Sequence, residues 1–335
     1  MNIHEKYISR CIELGKLGIG NTYPNPAVGS CIVYNNKIIG EGYTSSFGKN
    51  HAEINAIESV KDKSQLKEST LYVTLEPCSH HGKTPPCTSE IIKNKIPRVI
   101  IGIIDPYSKV SGNGIKKLKE AGIKVTLGVL ENKCKDHHKR FLTYINKKRP
   151  YIILKWAETN DGFIAPKTKD EIKPIWISNK YSRQLVHKWR SEEQCLIVGR
   201  KTISEDNPEL TTRDWCGKNP TVVIISKDNN LNNNSNVLNS KAKKIIMSNE
   251  IIDFKKPIAN QITKILYKRN IISAIVEGGA KTLKTFLNEN IWDEIRIFKS
   301  PLNFKNGIKS PRINIKPKNR TLIVEDELLV IYNNN

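Results

Sequence analysis

The pattern of apolar and polar positions predicts strands that alternate with helices in the first half of the chain. Apolar residues at helical spacing predict a helix over Lys6–Gly18, which ends at glycines. A continuous apolar run over Arg98–Asp105 is typical of a strand buried on both faces. Further strands are predicted within 30–43, 70–76 and 123–130, and further helices over 51–60, 88–96 and 114–122. This alternation indicates an α/β layer architecture.

A basic segment closed by proline, Asn146–Pro150, predicts a domain boundary near the middle of the chain. Beyond it the alternation restarts, with strands predicted at YIILKWAET, QCLIVGR, TVVIIS, KKIIMS, ISAIVEGG and EIRIFKS. The length of 335 residues suits two domains. We therefore predict two α/β domains, 1–146 and 147–335.

The net charge of +22 has two interpretations. A nucleic-acid binder would carry such a charge, because basic surfaces attract phosphates. The alternative is a composition rich in Lys, Asn and Ile throughout, seen even in the Asn-rich tract 228–236. The lysines are spread along the chain without a dense block, which favours the second interpretation. No specific nucleic-acid partner is expected.

The cysteines and the first residues bear on the cellular compartment. The segment MNIHEKYISRC lacks the features of a signal peptide, and no apolar run approaches the roughly 20 residues of a membrane span. Seven cysteines, an odd number, are scattered along the chain. We therefore expect a reduced, cytoplasmic protein with no membrane partner, in which closely spaced cysteines indicate a metal site more than a disulfide.

The segment TLEPCSHHGKTPPCTSE, Thr74–Glu90, contains the strongest chemical signal in the chain. Cys78 follows a predicted strand, Cys87 begins a predicted helix, and His51 begins an earlier one. Three such ligands can hold one zinc ion per chain and leave a fourth position for water, as in catalytic zinc sites. The alternative is two unligated cysteines and a surface histidine, but the combination of the three argues against it.

Glu53 is the candidate catalytic residue of this site. It lies two residues after His51, where a carboxylate can take a proton from water and pass it to a leaving amine. The pattern H-x-E…P-C-x-x-C is the signature of zinc deaminases. The spacing here differs, because eight residues separate Cys78 from Cys87.

Four segments of the first half carry a family resemblance: PNPAVGSCIV, GEGYTSSFGKNHAEINAI, TLEPCSHHGKTPPC and DPYSKVSGNGI. Together they resemble the deaminase half of the bifunctional riboflavin biosynthesis deaminase–reductases, and the resemblance extends over essentially the whole chain. It implies a cytidine-deaminase-like three-layer α/β/α domain. The implied reaction is hydrolytic deamination of 2,5-diamino-6-(5-phosphoribosylamino)pyrimidin-4(3H)-one to the corresponding uracil.

The same resemblance implies substrate contacts in the first domain. Asn25, in a tight P-N-P turn, matches the residue that binds the pyrimidine, and His80 and Lys83 match substrate positions, Lys83 facing the phosphate. The alternative for the last two is that they are solvated loop residues. Tyr23 and Tyr107 depart from the family pattern, which has His and Asn at these places.

From the residues alone, the second half indicates less. VEGGAKTL, Val276–Leu283, is a strand that runs into Gly-Gly and then a helix, an arrangement that suits phosphate binding at a helix N-terminus. By itself this signal is weak. The absence of G-x-G-x-x-G argues against a Rossmann dinucleotide domain.

The second half resembles the reductase half of the same family at YIILKWAETNDGFIA, WIS, GRKTISEDNPELTTR and the EGG motif. The resemblance implies a dihydrofolate-reductase-like fold that uses NADPH to reduce the ribosyl group to ribityl. The implied cofactor positions are Ala157, Trp176, Thr202, Asp206, Gly278 and Gly279. The implied substrate positions are Arg190, Leu210, Arg213 and Glu277.

The two arginines suit a phosphate monoester, which guanidinium groups bind through paired donors. The alternative for each arginine is a surface ion pair. Phe163 stands where the family has a basic residue and Pro174 where it has Ser, and both departures are expected to weaken binding.

Three rival hypotheses remain. A nucleic-acid deaminase would explain the charge, but such enzymes have the C-x-x-C spacing and need no reductase domain. A non-catalytic zinc module conflicts with the presence of Glu53 beside the full ligand set. One active domain beside a decayed one is the third. The family is typically dimeric or tetrameric, so a homo-oligomer is expected.

Overall fold

The computed structural model describes residues 2–81, 85–107, 111–168 and 171–333. The chain divides into two compact units, Met1–Lys147 and Lys148–Asn335. Both units are built from strands alternating with helices, so the predicted α/β class is confirmed. Within the described ranges, none of the helices combines the length and apolarity needed to cross a bilayer.

The first unit is organised around a mixed five-stranded sheet. The strands are β1 Gly29–Tyr34, β2 Lys37–Tyr43, β3 Thr70–Leu75, β4 Arg98–Ile103 and β5 Lys124–Leu127, and their order in the sheet is β2-β1-β3-β4-β5. β1 runs antiparallel to both β2 and β3, whereas β3, β4 and β5 are parallel. All six residues of β3 are buried, as expected for a central strand covered on both faces.

Helices cover both faces of this sheet. They are α1 Ile3–Gly18, α2 Ala52–Ser59, α3 Cys87–Lys93, α4 Asn113–Glu120, α5 Glu131–His137 and α6 Lys139–Lys147, with a 3₁₀ helix at Lys63–Glu68. α1 begins with a capping box between Asn2 and Glu5, which satisfies two free N–H groups at its start.

Two glycines of the paired strands β1 and β2 show which helix lies on which face. A β-carbon at Gly29 would lie 1.8 Å from the Cys11 oxygen of α1, and one at Gly42 would lie 2.4 Å from the Ala56 nitrogen of α2. Gly42 pairs with Ser30, the residue after Gly29, so the two glycines face opposite sides of the sheet. The close approach of both helices requires residues without side chains, and the result is the predicted three-layer α/β/α arrangement.

The second unit contains an eight-stranded sheet. Its strands are β6 Tyr151–Glu158, β8 Cys195–Gly199, β9 Thr221–Ile225, β10 Lys244–Met247, β11 Ser273–Val276, β12 Glu294–Lys299, β14 Asn319–Ile323 and β15 Asp326–Tyr332, in the order β10-β9-β8-β11-β6-β12-β15-β14. The six strands from β10 to β12 are parallel, and the β14–β15 hairpin adds antiparallel strands at the end. A separate two-stranded sheet pairs β7 Phe163–Ala165 with β13 Ile308–Lys309.

Helices connect the parallel strands of this unit: α7 Lys180–Glu192, α8 Arg200–Asp206, α9 Asn236–Asn239, α10 Ile258–Lys268 and α11 Ala280–Asn288. Successive residues of β6 point to opposite faces, so Ile152 belongs to one hydrophobic core and Ile153 to the other. Phe286 fills the first core, and Trp189 stacks on Phe298 in the second. The carboxyl ends of the parallel strands therefore emerge between two helical layers, where such folds bind ligands.

Candidate functional site

Three metal-ligand side chains of the first unit come from helix starts and a strand end. His51 is the N-cap residue of α2, Cys87 is the first residue of α3, and Cys78 lies three residues beyond the end of β3. The backbone N–H and hydroxyl of Thr88 both donate to the Cys78 carbonyl at 3.2 Å, which fixes the loop against α3. The local fold therefore brings residues 27 and 36 positions apart to one point.

The distances between the three ligand atoms fit zinc. His51 Nδ1 lies 3.5 Å from Cys78 Sγ and 3.3 Å from Cys87 Sγ, and all three atoms lie within 4.8 Å of one another. Tetrahedral zinc with ordinary bond lengths places nitrogen and sulfur ligands about 3.6 Å apart. One His and two Cys also leave one position for a water molecule, as in a catalytic site.

The electrostatics of the cluster favour a thiolate at Cys78, whereas the hydrogen bond with Cys78 and then burial raise the pKa of the Cys87 thiol. The Cys87 side chain, followed by His51, lowers the pKa of the Cys78 thiol to about 4 against the opposing effect of burial. The backbone N–H of Cys87 donates to Cys78 Sγ at 3.3 Å, so a helix N-terminus stabilises the negative sulfur. Metal binding requires a deprotonated thiol, which this environment favours at Cys78.

Glu53 lies in the first turn of α2, in direct reach of the same cluster. Its side chain interacts with Cys87, and the residue is only 3% exposed. Burial raises the pKa of its carboxyl to about 7. A carboxyl in this position can exchange protons with a group bound at the open metal position.

The structure also gives the hydrogen-bond surroundings of two other predicted residues of the first unit, Asn25 and His80. The Asn25 turn is held by its own N–H bond to the Thr22 carbonyl and by His137, whose Nε2 contacts the Ala27 carbonyl at 2.6 Å. His80 Nδ1 is buried and has no hydrogen-bond partner in the described structure, which leaves it available to a ligand. The departing residue Tyr107 has its ring 6.3 Å from the ring of His80. Lys83 lies outside the described residues.

A cavity of about 450 Å³ in the second unit collects most of the candidates there. Nine of the ten predicted residues line it: Ala157, Trp176, Arg190, Thr202, Asp206, Leu210, Arg213, Glu277 and Gly279. The tenth, Gly278, packs on β8, where a β-carbon would lie 2.9 Å from Val198 Cα. Gly278 therefore permits the turn after β11 to approach β8 closely.

Two helix starts without side-chain caps lie next to each other, and the one at Gly279 lines the cavity. α11 begins after Gly279 and α8 begins after Gly199, and neither N-cap residue satisfies the free N–H groups of its helix. They are neighbours, since a β-carbon at Gly199 would lie 2.7 Å from the Thr282 hydroxyl. Paired helix N-termini at the carboxyl ends of parallel strands suit the diphosphate of a dinucleotide such as NADPH.

Arg190 is buried in an ion pair rather than placed at the surface. Its Nε and Nη2 donate to the two Glu277 oxygens at 3.1 and 2.6 Å, and Nη1 donates to the Thr211 carbonyl at 3.2 Å. The two side chains are 11% and 6% exposed. Lys155, which the sequence analysis missed, adds a half-buried cation: burial alone would raise the pKa of Glu277, but Arg190 and Lys155 bring it down to about 2. The ion pair therefore persists throughout the neutral range.

Arg213 differs from Arg190 in exposure and in pairing. Its residue is exposed while lining the cavity, and within the described ranges it makes no ion pair. Its backbone N–H donates to His187 Nδ1 at 3.2 Å, and His187 Nε2 lies 3.3 Å from an Asp214 oxygen. The loop that carries Arg213 is thus attached to α7 while the guanidinium remains available.

The two departures in the second unit have different surroundings. Phe163 is buried and carries the Lys309 ammonium 3.8 Å from its ring centroid, so a positive charge lies there although the residue itself is apolar. Pro174 lines the cavity.

Comparison with protein families identifies both halves of the chain. Residues 1–103 match the zinc-binding region of cytidine and deoxycytidylate deaminases. Residues 150–304 match the C-terminal domain of RibD. Both matches agree with the fold of the unit in which they lie, and they confirm the expected zinc and NADPH cofactors.

Whole-chain relatives have the same organisation. The riboflavin biosynthesis protein RibD of Aquifex aeolicus is 37% identical over 96% of this chain and 94% of its own length. That of Bacillus amyloliquefaciens is 35% identical over 90% of this chain and 85% of its own length. A Thermotoga maritima structure, described as a diaminohydroxyphosphoribosylaminopyrimidine deaminase and 5-amino-6-(5-phosphoribosylamino)uracil reductase, is 37% identical with a TM-score of 0.90 over 98% of each chain. Acinetobacter baumannii RibD is 27% identical with a TM-score of 0.86 over 98% of each chain. The chain therefore belongs to the RibD family of bifunctional riboflavin biosynthesis enzymes, which join a zinc-binding deaminase domain to an NADPH-dependent reductase domain.

Proposed function

We propose that residues 1–146 deaminate 2,5-diamino-6-(5-phosphoribosylamino)pyrimidin-4(3H)-one to the uracil and that residues 147–335 reduce its ribosyl group to ribityl phosphate. The observation that carries the proposal is the convergence of His51, Cys78 and Cys87 beside the buried carboxyl of Glu53. The cavity of the second unit, lined by nine of the ten predicted residues, supports the second activity. The substrate is taken from the chemistry named for the Thermotoga maritima relative.

In the deaminase, His51, Cys78 and Cys87 would hold the zinc ion. When bound, zinc would lower the pKa of a water molecule to about 7 and so supply a nucleophile at neutral pH. Glu53 takes the proton released by the nucleophile and delivers it to the departing ammonia. Asn25 orients the pyrimidine, and His80 offers its unpartnered ring nitrogen to the substrate. Lys83 is assigned to the substrate phosphate.

In the reductase, the residues orient two bound molecules. The helix starts after Gly279 and Gly199 would hold the cofactor diphosphate, and Ala157, Trp176, Thr202 and Asp206, which line the cavity, would contact the rest of the cofactor. When bound, NADPH would supply a hydride for the C1′ atom of the ring-opened imine form of the sugar, and the imine nitrogen would take a proton from water.

Arg213 would hold the substrate phosphate in this site, and Leu210 lines the same cavity. Arg190 and Glu277 provide a fixed charged surface on the substrate side of the cavity. The ligand is thus a small phosphorylated pyrimidine and not a specific nucleic acid. The expectation of a dimer or tetramer rests on the family resemblance alone.

Glu53→Gln separates the two activities. The variant keeps the shape of the side chain but cannot carry a proton, so deamination should fall by about 10²–10⁴-fold. Zinc should remain at one ion per chain, and reduction of separately supplied deaminated intermediate should match the parent protein. Near-normal deaminase turnover in Glu53→Gln would exclude this residue as the proton carrier. If the parent protein catalysed only one of the two half-reactions, only one of its two domains would be active.

A further inference from the structure

Glu76 connects the zinc-ligand loop to a second loop of the first unit. It follows the last residue of β3 and precedes Cys78 by two positions. The residue is 3% exposed, and its backbone N–H donates to the Ile103 carbonyl of β4 at 2.9 Å. Its position is therefore fixed by the sheet on one side and by the metal-ligand loop on the other.

The Glu76 carboxylate accepts four backbone hydrogen bonds. Oε2 accepts from the N–H groups of Asp105 and Gly112 at 3.2 and 3.0 Å. Oε1 accepts from those of Gly114 and Ile115 at 2.9 and 3.1 Å. A carboxylate has about four lone-pair sites, so these four donors use its whole capacity.

The four donors come from the two ends of one segment. Asp105 lies just after β4, whereas Gly112, Gly114 and Ile115 form the start of α4, whose N-cap glycine has no side chain to satisfy the free N–H groups. The contact is close, because a β-carbon at Gly114 would lie 2.2 Å from the Pro77 carbonyl. Glu76 therefore caps α4 and ties Asp105 to the start of that helix.

The start of this segment faces the candidate substrate site. The N–H of Tyr107 donates to Asp105 Oδ1 at 2.8 Å, which fixes the direction of the chain after β4. The Tyr107 ring lies 6.3 Å from that of His80, two residues after Cys78. The zinc-ligand loop, with Cys78 and His80, thus lies close to the chain around Tyr107. Glu76 precedes the first and accepts a hydrogen bond from Asp105 of the second.

We propose that Glu76 is a positioning residue of the deaminase. Its carboxylate sets Asp105 and Tyr107 at a fixed distance from Cys78 and His80, so that the substrate-facing side chains and the zinc ligand keep one arrangement. Glu76 touches neither substrate nor metal and acts through the backbone of Asp105 and of the start of α4. The inference rests on the proposed deaminase site.

The arrangement requires a carboxylate and not an amide. A glutamine at this position would offer one oxygen and one NH₂ group, and the NH₂ group would face two N–H donors that could no longer be satisfied. Glu76→Gln therefore removes half of the contacts with almost no change in volume. Glu76→Asp keeps the charge but shortens the side chain by one methylene, so it should have the same effect to a smaller extent.

The test is steady-state kinetics of the full-length zinc-loaded protein with the diaminopyrimidine substrate. We expect Glu76→Gln to raise the deaminase KM roughly 10- to 100-fold, because displaced binding groups cost this much without loss of the reacting centre. The kcat should fall less than KM rises, zinc should stay at one per chain, and reductase activity should not change. The matched control is Glu41→Gln on β2, which removes the carboxylate that pairs with Arg10 of α1. This variant should keep the parent KM.

Amide hydrogen exchange measures the loop directly. In Glu76→Gln, the N–H groups of Asp105, Gly112, Gly114 and Ile115 should exchange faster, while those of β3 remain protected. A parent-like KM in Glu76→Gln would overturn the proposal, as would a KM that stays constant while zinc and kcat fall together. If Glu76→Gln does not fold, Glu76→Asp decides by the same criteria. Because Glu53→Gln tests the deaminase chemistry independently, failure here with success there rejects only the role of Glu76.

Discussion

The two units build their sites in different ways. In the first unit, the ligand atoms of His51, Cys78 and Cys87, which come from short motifs, lie within 4.8 Å of one another, and a zinc ion would join them. In the second unit, the cavity is surrounded by side chains between positions 155 and 308, and two of its charged side chains, Arg190 and Glu277, are already paired with each other. A metal centre constrains residue types and local spacing closely, whereas a charged pocket depends on which partners the fold brings together.

Loss of one zinc ligand should have the largest effect. We expect Cys87→Ser to bind zinc poorly and to lose deaminase activity almost completely, because the remaining His51 and Cys78 cannot complete a catalytic zinc site. Metal analysis of the purified protein, together with both half-reactions, measures this. The reductase of the second unit should continue to work at the parent rate.

The control for this variant is Cys216→Ser, which changes an exposed cysteine of the second unit in the same way. It should retain one zinc per chain. Full zinc content in Cys87→Ser would show that the ligand set is different from the one proposed.

Substitution of Arg213 and substitution of Arg190 should have different effects, the first on binding of the substrate phosphate and the second on the stability of the second unit. Arg213→Ala removes an exposed cation that makes no ion pair with the residues the structure describes, so kcat/KM for the phosphorylated substrate should fall about 10–150-fold while a dephosphorylated analogue reacts as with the parent. Arg190→Ala instead leaves the buried Glu277 carboxylate without its partner, which should lower the free energy of unfolding of this unit by about 3–5 kcal/mol. Both substrates should then be affected.

The measurements are kinetics with the two substrates at saturating NADPH and urea unfolding followed by tryptophan fluorescence. Arg320→Ala, which removes an exposed ion pair with Glu327, is the control and should change neither quantity appreciably. Equal losses on the two substrates in Arg213→Ala would move the phosphate site away from this residue.

The same contrast explains what could be predicted from the sequence. Each of the six strands predicted after residue 150 is present, because long apolar runs specify buried parallel strands directly. The β14–β15 hairpin was missed, although NRTLIVEDELLVIY alternates in part and turns at Val324, whose φ is +58°. A β-branched residue in the left-handed region is not a usual turn signal, so the pattern alone did not reveal the turn.

The positions of site side chains were predictable only where the spacing along the chain determined them. The ligands His51, Cys78 and Cys87 occupy helix starts and a strand end that the sequence indicates. The pairing of Arg190 with Glu277 could not be foreseen, because it joins residues 87 positions apart. The sequence offers one indication of the importance of Glu76, which is its position directly before Pro77-Cys78 of the zinc motif. The four backbone N–H groups that it accepts from cannot be predicted from the sequence.

The smallest predicted effect is the contribution of the half-buried His137 to the stability of the first unit at acid pH. Burial, together with the nearby Arg140 and Lys16, lowers the pKa of His137 from its ordinary 6.5 to about 4. The unfolded chain therefore takes up a proton as the pH falls below about 6.5, while the folded chain resists until about 4. Stability from this group is complete above pH 6.5 and decreases towards pH 4, by about 1 kcal/mol between pH 7 and 5.5.

Replacement of this histidine isolates its contribution from all other titrating groups. His137→Gln keeps a donor that can reach the Ala27 carbonyl but cannot be charged, so its unfolding free energy should decline less between pH 7 and 5.5 than that of the parent. Urea titrations followed by circular dichroism at both pH values give the difference, with His81→Gln, a solvent-exposed replacement, as the control. Equal declines in parent and His137→Gln would mean that the imidazole is protonated in the folded chain as readily as in the unfolded one. The bond to the Ala27 carbonyl, which holds the Asn25 turn in place, would then have to tolerate a charged ring.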